Sequence, residues 1–174
     1  EPPADFQRDG GMVHGFQIWL NLPEPLKMTR PGFQMLRGAE MPVVAPAPGV
    51  TVRIIGGGLD GAASPVTTHA PVFLFHASLS AGASWDIPVT DGHALFAYGF
   101  GGPTDGELRL FDHKGTVATL AGDPGAATEW LVLGGQRLEQ PIAAYGPFVM
   151  STREELIQAF EDYQSGRMGT VPGA

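Results

Sequence analysis

Five imidazoles, His14, His69, His76, His93 and His113, are the side chains in this sequence best suited to holding a metal or moving a proton. A non-haem metal centre needs two or three of them, with a carboxylate, converging on one point. On a strand the H-x-H spacing achieves part of this, because side chains alternate between faces. The sequence holds no H-x-H, no H-x-x-x-H and no H-E-x-x-H. His76 lies inside the apolar run VFLFHASL and faces one side of a strand. His93, after Asp91-Gly92, and His113, between Asp112 and Lys114-Gly115, sit at turns. The pattern gives each a hydrogen-bonded or solvated role.

Nucleophilic and phosphate chemistry are no better served. There is no Cys and no G-x-S-x-G elbow, and Ser80 and Ser84 flank a glycine turn. Gly56-Gly57-Gly58 follows a strand, but no Lys-Ser/Thr follows it, so it reads as a tight turn or bulge. The carboxylate pairs Glu154/Glu155 and Glu161/Asp162 fall on the solvated side of a helix. Of Trp19, Trp85 and Trp130, which could line an aromatic pocket, at least two are assigned to core packing. No residue is therefore assigned a catalytic, cofactor-binding or metal-binding role.

The elements that would position these residues are short. VTVRIIGG, VFLFHASL, HALFAYGFGG, ELRLFDHKG, TVATL and EWLVLGG are rich in β-branched and aromatic residues and bounded by Gly, Pro or Asp. Phe16, Ile18, Leu20 and Leu22 alternate with Gln17, Trp19 and Asn21, which predicts a further strand ended by Pro23 and Pro25. Residues 26–37 have room for one helical turn, and Pro31 prevents a longer helix. One helix is predicted near the end. Ser151/Glu154 and Thr152/Glu155 are two possible capping boxes, Leu156, Ile157, Phe160 and Tyr163 form its apolar stripe, and Gly166 stops it. The stripe is expected to pack on the outside of the β-structure.

Composition narrows the function classes. The chain is 43% hydrophobic but only 16% charged, and its 25 Gly and 16 Pro fall between apolar runs, which fits many short strands joined by turns. A net charge of −8, with ten Lys+Arg spread along the chain, gives no basic face for nucleic acid. No apolar run reaches the roughly 18 residues of a membrane helix, and no signal peptide is visible, so a cytoplasmic protein is expected. The first residue is Glu rather than Met, which leads us to expect that the native N-terminus lies upstream.

Four segments resemble the pirin family, in order along most of the chain: His14-Gly-Phe-Gln-Ile-Trp-Leu-Asn-Leu-Pro23, Ala81–Ser84 with Ile87-Pro88 and Gly92-His93, Leu131–Ile142, and Tyr145-Gly-Pro-Phe-Val-Met-Ser-Thr-Arg-Glu-Glu155. Ser151 stands where the family more commonly has Asn. The resemblance implies an all-β, cupin-type β-barrel (a jelly-roll-like sandwich) with a short C-terminal α-helix. Pirins are bicupins, and this chain corresponds to the second cupin with its linking strand. Residues 1–25 are then an inter-domain lead-in and strand from the first-cupin side, and residues 26–174 the C-terminal cupin domain with its terminal helix.

The same resemblance implies that three His and one Glu hold iron in the first cupin. The three His are absent from this chain, and Glu1 stands at or just after the last carboxylate. Trp85 and Ile87 occupy the stretch where a metal cupin places H-x-H. No cofactor is therefore expected in this chain, with iron in a full-length parent. The function implied is a non-catalytic C-terminal cupin domain that packs against and supports the metal-binding half. The partner is that first cupin half or another protein chain, with a homodimer as a further option. Two alternatives stand beside it. In one, the chain is part of an iron-dependent, quercetin 2,3-dioxygenase-like enzyme. In the other it is a small-molecule-binding barrel with His76, Tyr98 and Glu107 projecting inward. An exposed apolar face is expected around Phe16, Trp19 and residues 26–37.

Overall fold

In the computed structural model, residues 8–12, 14–112 and 114–169 are described. Alternating apolar residues put six strands into one antiparallel sheet, ordered β1-β2-β5-β10-β7-β8. Their ranges are β1 Val43–Ala47, β2 Val50–Gly56, β5 Val72–Leu79, β7 His93–Gly101, β8 Leu108–Leu110 and β10 Thr128–Gln136. Against its inner face lies the pair β6 (Ser84–Pro88) and β9 (Val117–Ala121). Two small hairpins complete the set: β3 (Gly58–Leu59) with β4 (Ala62–Ala63), and β11 (Ala143–Tyr145) with β12 (Phe148–Met150).

Period-two burial explains the layering. On β2, Val50, Val52 and Ile54 point inward; on β5, Phe75, Ala77 and Leu79; on β10, Trp130 and Val132; on β7, Leu95 and Ala97. Trp85 and Ile87 of β6 and Leu120 of β9 meet them from the opposite layer. Trp85 is 2% exposed, and Ile87 and Trp130 are 0% exposed. The interior is thus filled by side chains, as in small closed β-structures.

The expected all-β, cupin-type fold is present as its jelly-roll-like sandwich with a short C-terminal helix, and the sheets do not close into a true barrel. Neither edge strand, β1 or β8, forms a ladder to the β6–β9 pair. β8 has only three residues, and Pro46 in β1 has no N–H to offer a neighbour. On the β8 side one side chain spans the gap. The Arg109 guanidinium donates to the Ala121 carbonyl of β9, chelates Glu107 at 2.7 and 3.2 Å, and lies 4.4 Å above the Trp130 ring.

The strand expected over 14–22 is also corrected. These residues form no ladder among the described residues; β7 meets Phe16 with the Tyr98 and Phe100 side chains of the outer sheet face rather than with a free edge. Of the helical turn placed within 26–37, the structure has a 3-10 turn at Glu24–Leu26 that runs into the start of that range, with the Thr29 N–H donating to the Leu26 carbonyl, and a second 3-10 turn just beyond it at Gly38–Glu40. The predicted helix is α1, Arg153–Gln164. Of its two possible boxes only one forms: Thr152 Oγ accepts from Glu155 N–H, and Glu155 Oε2 accepts from the N–H groups of Thr152 and Ser151. Its stripe is shifted. Leu156 and Ala159 are buried, whereas Ile157 and Tyr163 are exposed. The helix packs on the β11–β12 hairpin, with Phe160 against Tyr145 and Phe148, rather than on the large sheet.

Candidate functional site

The outer face of the large sheet gathers the polar residues that the inner face excludes. His76, Ser78, Glu129, Tyr98 and Phe100 alternate with core residues on β5, β10 and β7, so all five point outward. Register sets Glu129 opposite Ser78, and Leu131 between His76 and Tyr98. Glu129 Oε2 then lies 2.6 Å from His76 Nε2 and accepts from Ser78 Oγ at 2.7 Å. The His76 ring sits 5.2 Å from Phe100, and Phe100 in turn packs edge-on against Phe16 at 5.0 Å and His14 at 5.9 Å. Phe16 also meets Tyr98 at 6.1 Å. His14 and Phe16 of the lead-in therefore rest on aromatic side chains of the outer sheet face, beside the His76–Glu129–Ser78 cluster.

The chemistry open to this cluster is limited. A serine activated for attack gives its proton to an imidazole. Here Ser78 gives it to a carboxylate that also holds His76. One imidazole and one carboxylate are too few donors for a non-haem iron centre. Among the described residues, no group of three or more His, Cys, Asp or Glu is placed to hold a metal ion. The stretch where a metal cupin carries its H-x-H holds Trp85 and Ile87, apolar and packed in the core. The described residues do not fit an iron ion.

The remaining candidates are dispersed. His69 is exposed, and His93 opens β7, its N–H donating to the Thr90 carbonyl. His93 also lines an open cleft of about 820 Å³ with Gly57, Asp60, Thr68, Phe73 and Thr90. His113 and Glu1 lie outside the described residues. The inward projection of His76, Tyr98 and Glu107 is corrected: the first two face outward, and Glu107 is exposed and paired with Arg109. Hydrogen bonding from Arg109 holds the Glu107 carboxyl below the usual glutamate range. Asp162 is held low in the same way, first by Arg167 and then by Gln158.

Trp85 and Trp130 take core positions, while Trp19 is 64% exposed. Gly56-Gly57-Gly58 is a bulge: the β2–β5 register shifts there, and Gly57 has φ +79°. Sequence reasoning missed Glu129, Ser78 and Arg109 as partners. Alternation alone places Glu129 outward, but nothing local to it reveals a histidine 53 residues away.

Residues 74–169 match the pirin C-terminal cupin domain. A pirin-like protein of Caulobacter vibrioides is 36% identical over 92% of this chain and 61% of its own length. Human pirin is 30% identical over 90% of the chain and 58% of its length. A crystal structure of quercetin 2,3-dioxygenase from Acinetobacter baumannii aligns with a TM-score of 0.78 and 29% identity, covering 87% of this chain and 56% of that one. The chain spans about three fifths of the length of the curated relatives it matches. These matches show that the chain belongs to the pirin family, through its C-terminal cupin domain.

Proposed function

We propose that this chain is a non-catalytic cupin domain that packs against a metal-binding cupin half and supports it, with residues 1–25 as the lead-in from that half and 26–174 as the domain itself. The observation that carries the reading is the exposed apolar lead-in. Phe16, Ile18, Trp19 and Leu20 are 42%, 43%, 64% and 50% exposed, and further along the chain Phe33 and Met35 are 84% and 75% exposed. Side chains of this size left together in water mark a surface meant to be covered. The uncovered two fifths of the Caulobacter relative is the size of a cupin domain, which supports the same partner.

A second reading is favoured by the alignment with quercetin 2,3-dioxygenase. In it the full-length parent oxidises flavonols at an iron held by the other half, and this chain is its scaffold. Both readings place the protein in the cytoplasm and the iron outside this chain. A small-molecule-binding barrel has less support, because the sandwich interior is packed with Trp85, Ile87, Leu120 and Trp130.

The test is ferrous ion binding and quercetin consumption under dioxygen, measured on the purified 174-residue chain. We expect no stoichiometric iron and no turnover. One tightly bound ferrous ion per chain would overturn the reading.

A further inference from the structure

The large sheet ends in two unlike edges. β1 carries Pro46 and a break in its register with β2, which spoil it as a template for another strand. β8 carries neither a proline nor a bulge: Leu108, Arg109 and Leu110 run in unbroken register with Tyr98, Ala97 and Phe96. The Gly99 N–H donates to the Glu107 carbonyl and the Phe111 N–H to the Leu95 carbonyl. Bonded and non-bonded positions alternate along an antiparallel ladder, so Leu108 and Leu110 turn their backbone N–H and C=O groups away from β7, along a free edge. Their side chains stand on the outer face, and Leu110 is 76% exposed. Glu107 and Arg109 alternate with them and stand on the inner face. Arg109 directs its guanidinium to Glu107, to the Trp130 ring and to the Ala121 carbonyl, and none of these contacts occupies the free backbone groups.

We propose that β8 is a docking edge for a second copy of this chain, the two strands pairing antiparallel about a two-fold axis at Leu108. Charge selects this occupant. With Leu108 opposite its own counterpart, Arg109 stands opposite the partner's Glu107, and Glu107 opposite the partner's Arg109, so the edge is complementary to itself. Centring the pair on Arg109 instead would set two guanidinium groups against each other. The facing Leu108 residues exchange N–H···O=C bonds, and Leu110 faces the partner's Gly106, which has no side chain to obstruct it. The large sheet then runs on from one copy into the other, as when an extended segment is added to an exposed edge. Because β8 is three residues long, the dimer is weak and concentration-dependent. The pairing does not depend on the function proposed above.

The experiment follows the mass of the purified 174-residue chain by sedimentation equilibrium over a range of concentrations, with amide hydrogen exchange on the same samples. For wild type we expect a monomer–dimer equilibrium and a Leu108 amide that exchanges more slowly as concentration rises. Leu108→Pro removes the outward donor but leaves the bonds to β7, so it should weaken dimerisation at least about tenfold while the Gly99 and Phe111 amides stay protected. Glu107→Arg sets like charges opposite each other and should weaken it by about the same factor. Arg109→Glu should do so too. Mixing the Glu107→Arg and Arg109→Glu chains should restore a dimer of one chain of each, because every charge again meets its opposite. Should Arg109→Glu lose protection at Gly99 and Phe111, the first two variants decide. A wild-type chain that stays monomeric at about 1 mM would overturn the proposal. So would a dimer that survives Leu108→Pro undiminished and is lost in Trp19→Ser, which would place it on the lead-in. A mixture that stays monomeric while both of its chains keep Gly99 and Phe111 protected would overturn it as well.

Discussion

Trp85 and Arg109 carry different kinds of energy. Trp85 is enclosed by both layers and touches Phe75 ring to ring at 6.1 Å. Its truncation leaves a cavity, so Trp85→Ala should cost about 3–5 kcal/mol in denaturant melts. Arg109 and Glu107 have side chains 30% and 42% exposed, and a pair so placed contributes only about 0–1 kcal/mol. Its pH dependence has a definite sign. The Glu107 carboxyl is held low in the folded chain, so the pair's contribution is complete above the unfolded glutamate pKa of about 4.3 and fades as pH falls through the lower folded value. Glu107→Gln should flatten that part of the stability profile between roughly pH 5 and 3, and a profile identical to wild type would count against the pairing. Ser151 gives the opposite lesson. Its Oγ is buried without a hydrogen-bond partner, so Ser151→Ala should be neutral or slightly stabilising in a thermal melt.

Helix α1 and the bulge after β2 show what a local segment depends on. Thr152→Ala removes the acceptor for the Glu155 N–H and should lower stability by about 1 kcal/mol, with fraying at residues 153–156 by hydrogen exchange. Gly57 has φ +79°, and a Cβ there would stand 2.8 Å from the Val72 carbonyl oxygen. Gly57→Ala should therefore destabilise by more than 1 kcal/mol, and full stability would mean the bulge is not formed. These features were legible in the sequence because the signals are local: a hydroxyl three residues before a glutamate, a glycine run after an alternating strand. The strands of the sandwich were legible for the same reason. Two elements were not. The alternation over 14–22 predicts a strand, yet a strand needs an edge, and sequence does not say where a free edge lies. The stripe on α1 was read at helical spacing without knowing that its support would be a hairpin only three residues deep, which leaves Ile157 exposed and Tyr163 held only edge-on by Phe148. The His76–Glu129 contact was invisible for a third reason: it depends on the register of β5 with β10, which long-range pairing alone fixes.

At the scale of the whole molecule, the inner face of the sandwich is closed by bulky side chains and the outer face carries His14 and Phe16 of the lead-in. A filled core leaves little room for chemistry inside and directs function to the surface. The apolar lead-in is also the reason to expect weak self-association of the isolated chain, reduced by Trp19→Ser in sedimentation measurements at equal concentration. The central claim, that this domain works as the supporting half of an iron cupin protein, is tested most directly by the intact mass and metal content of the protein as its native host makes it. The account predicts a mass well above 18.3 kDa with about one iron per chain. A mass of 18.3 kDa with no metal would contradict it.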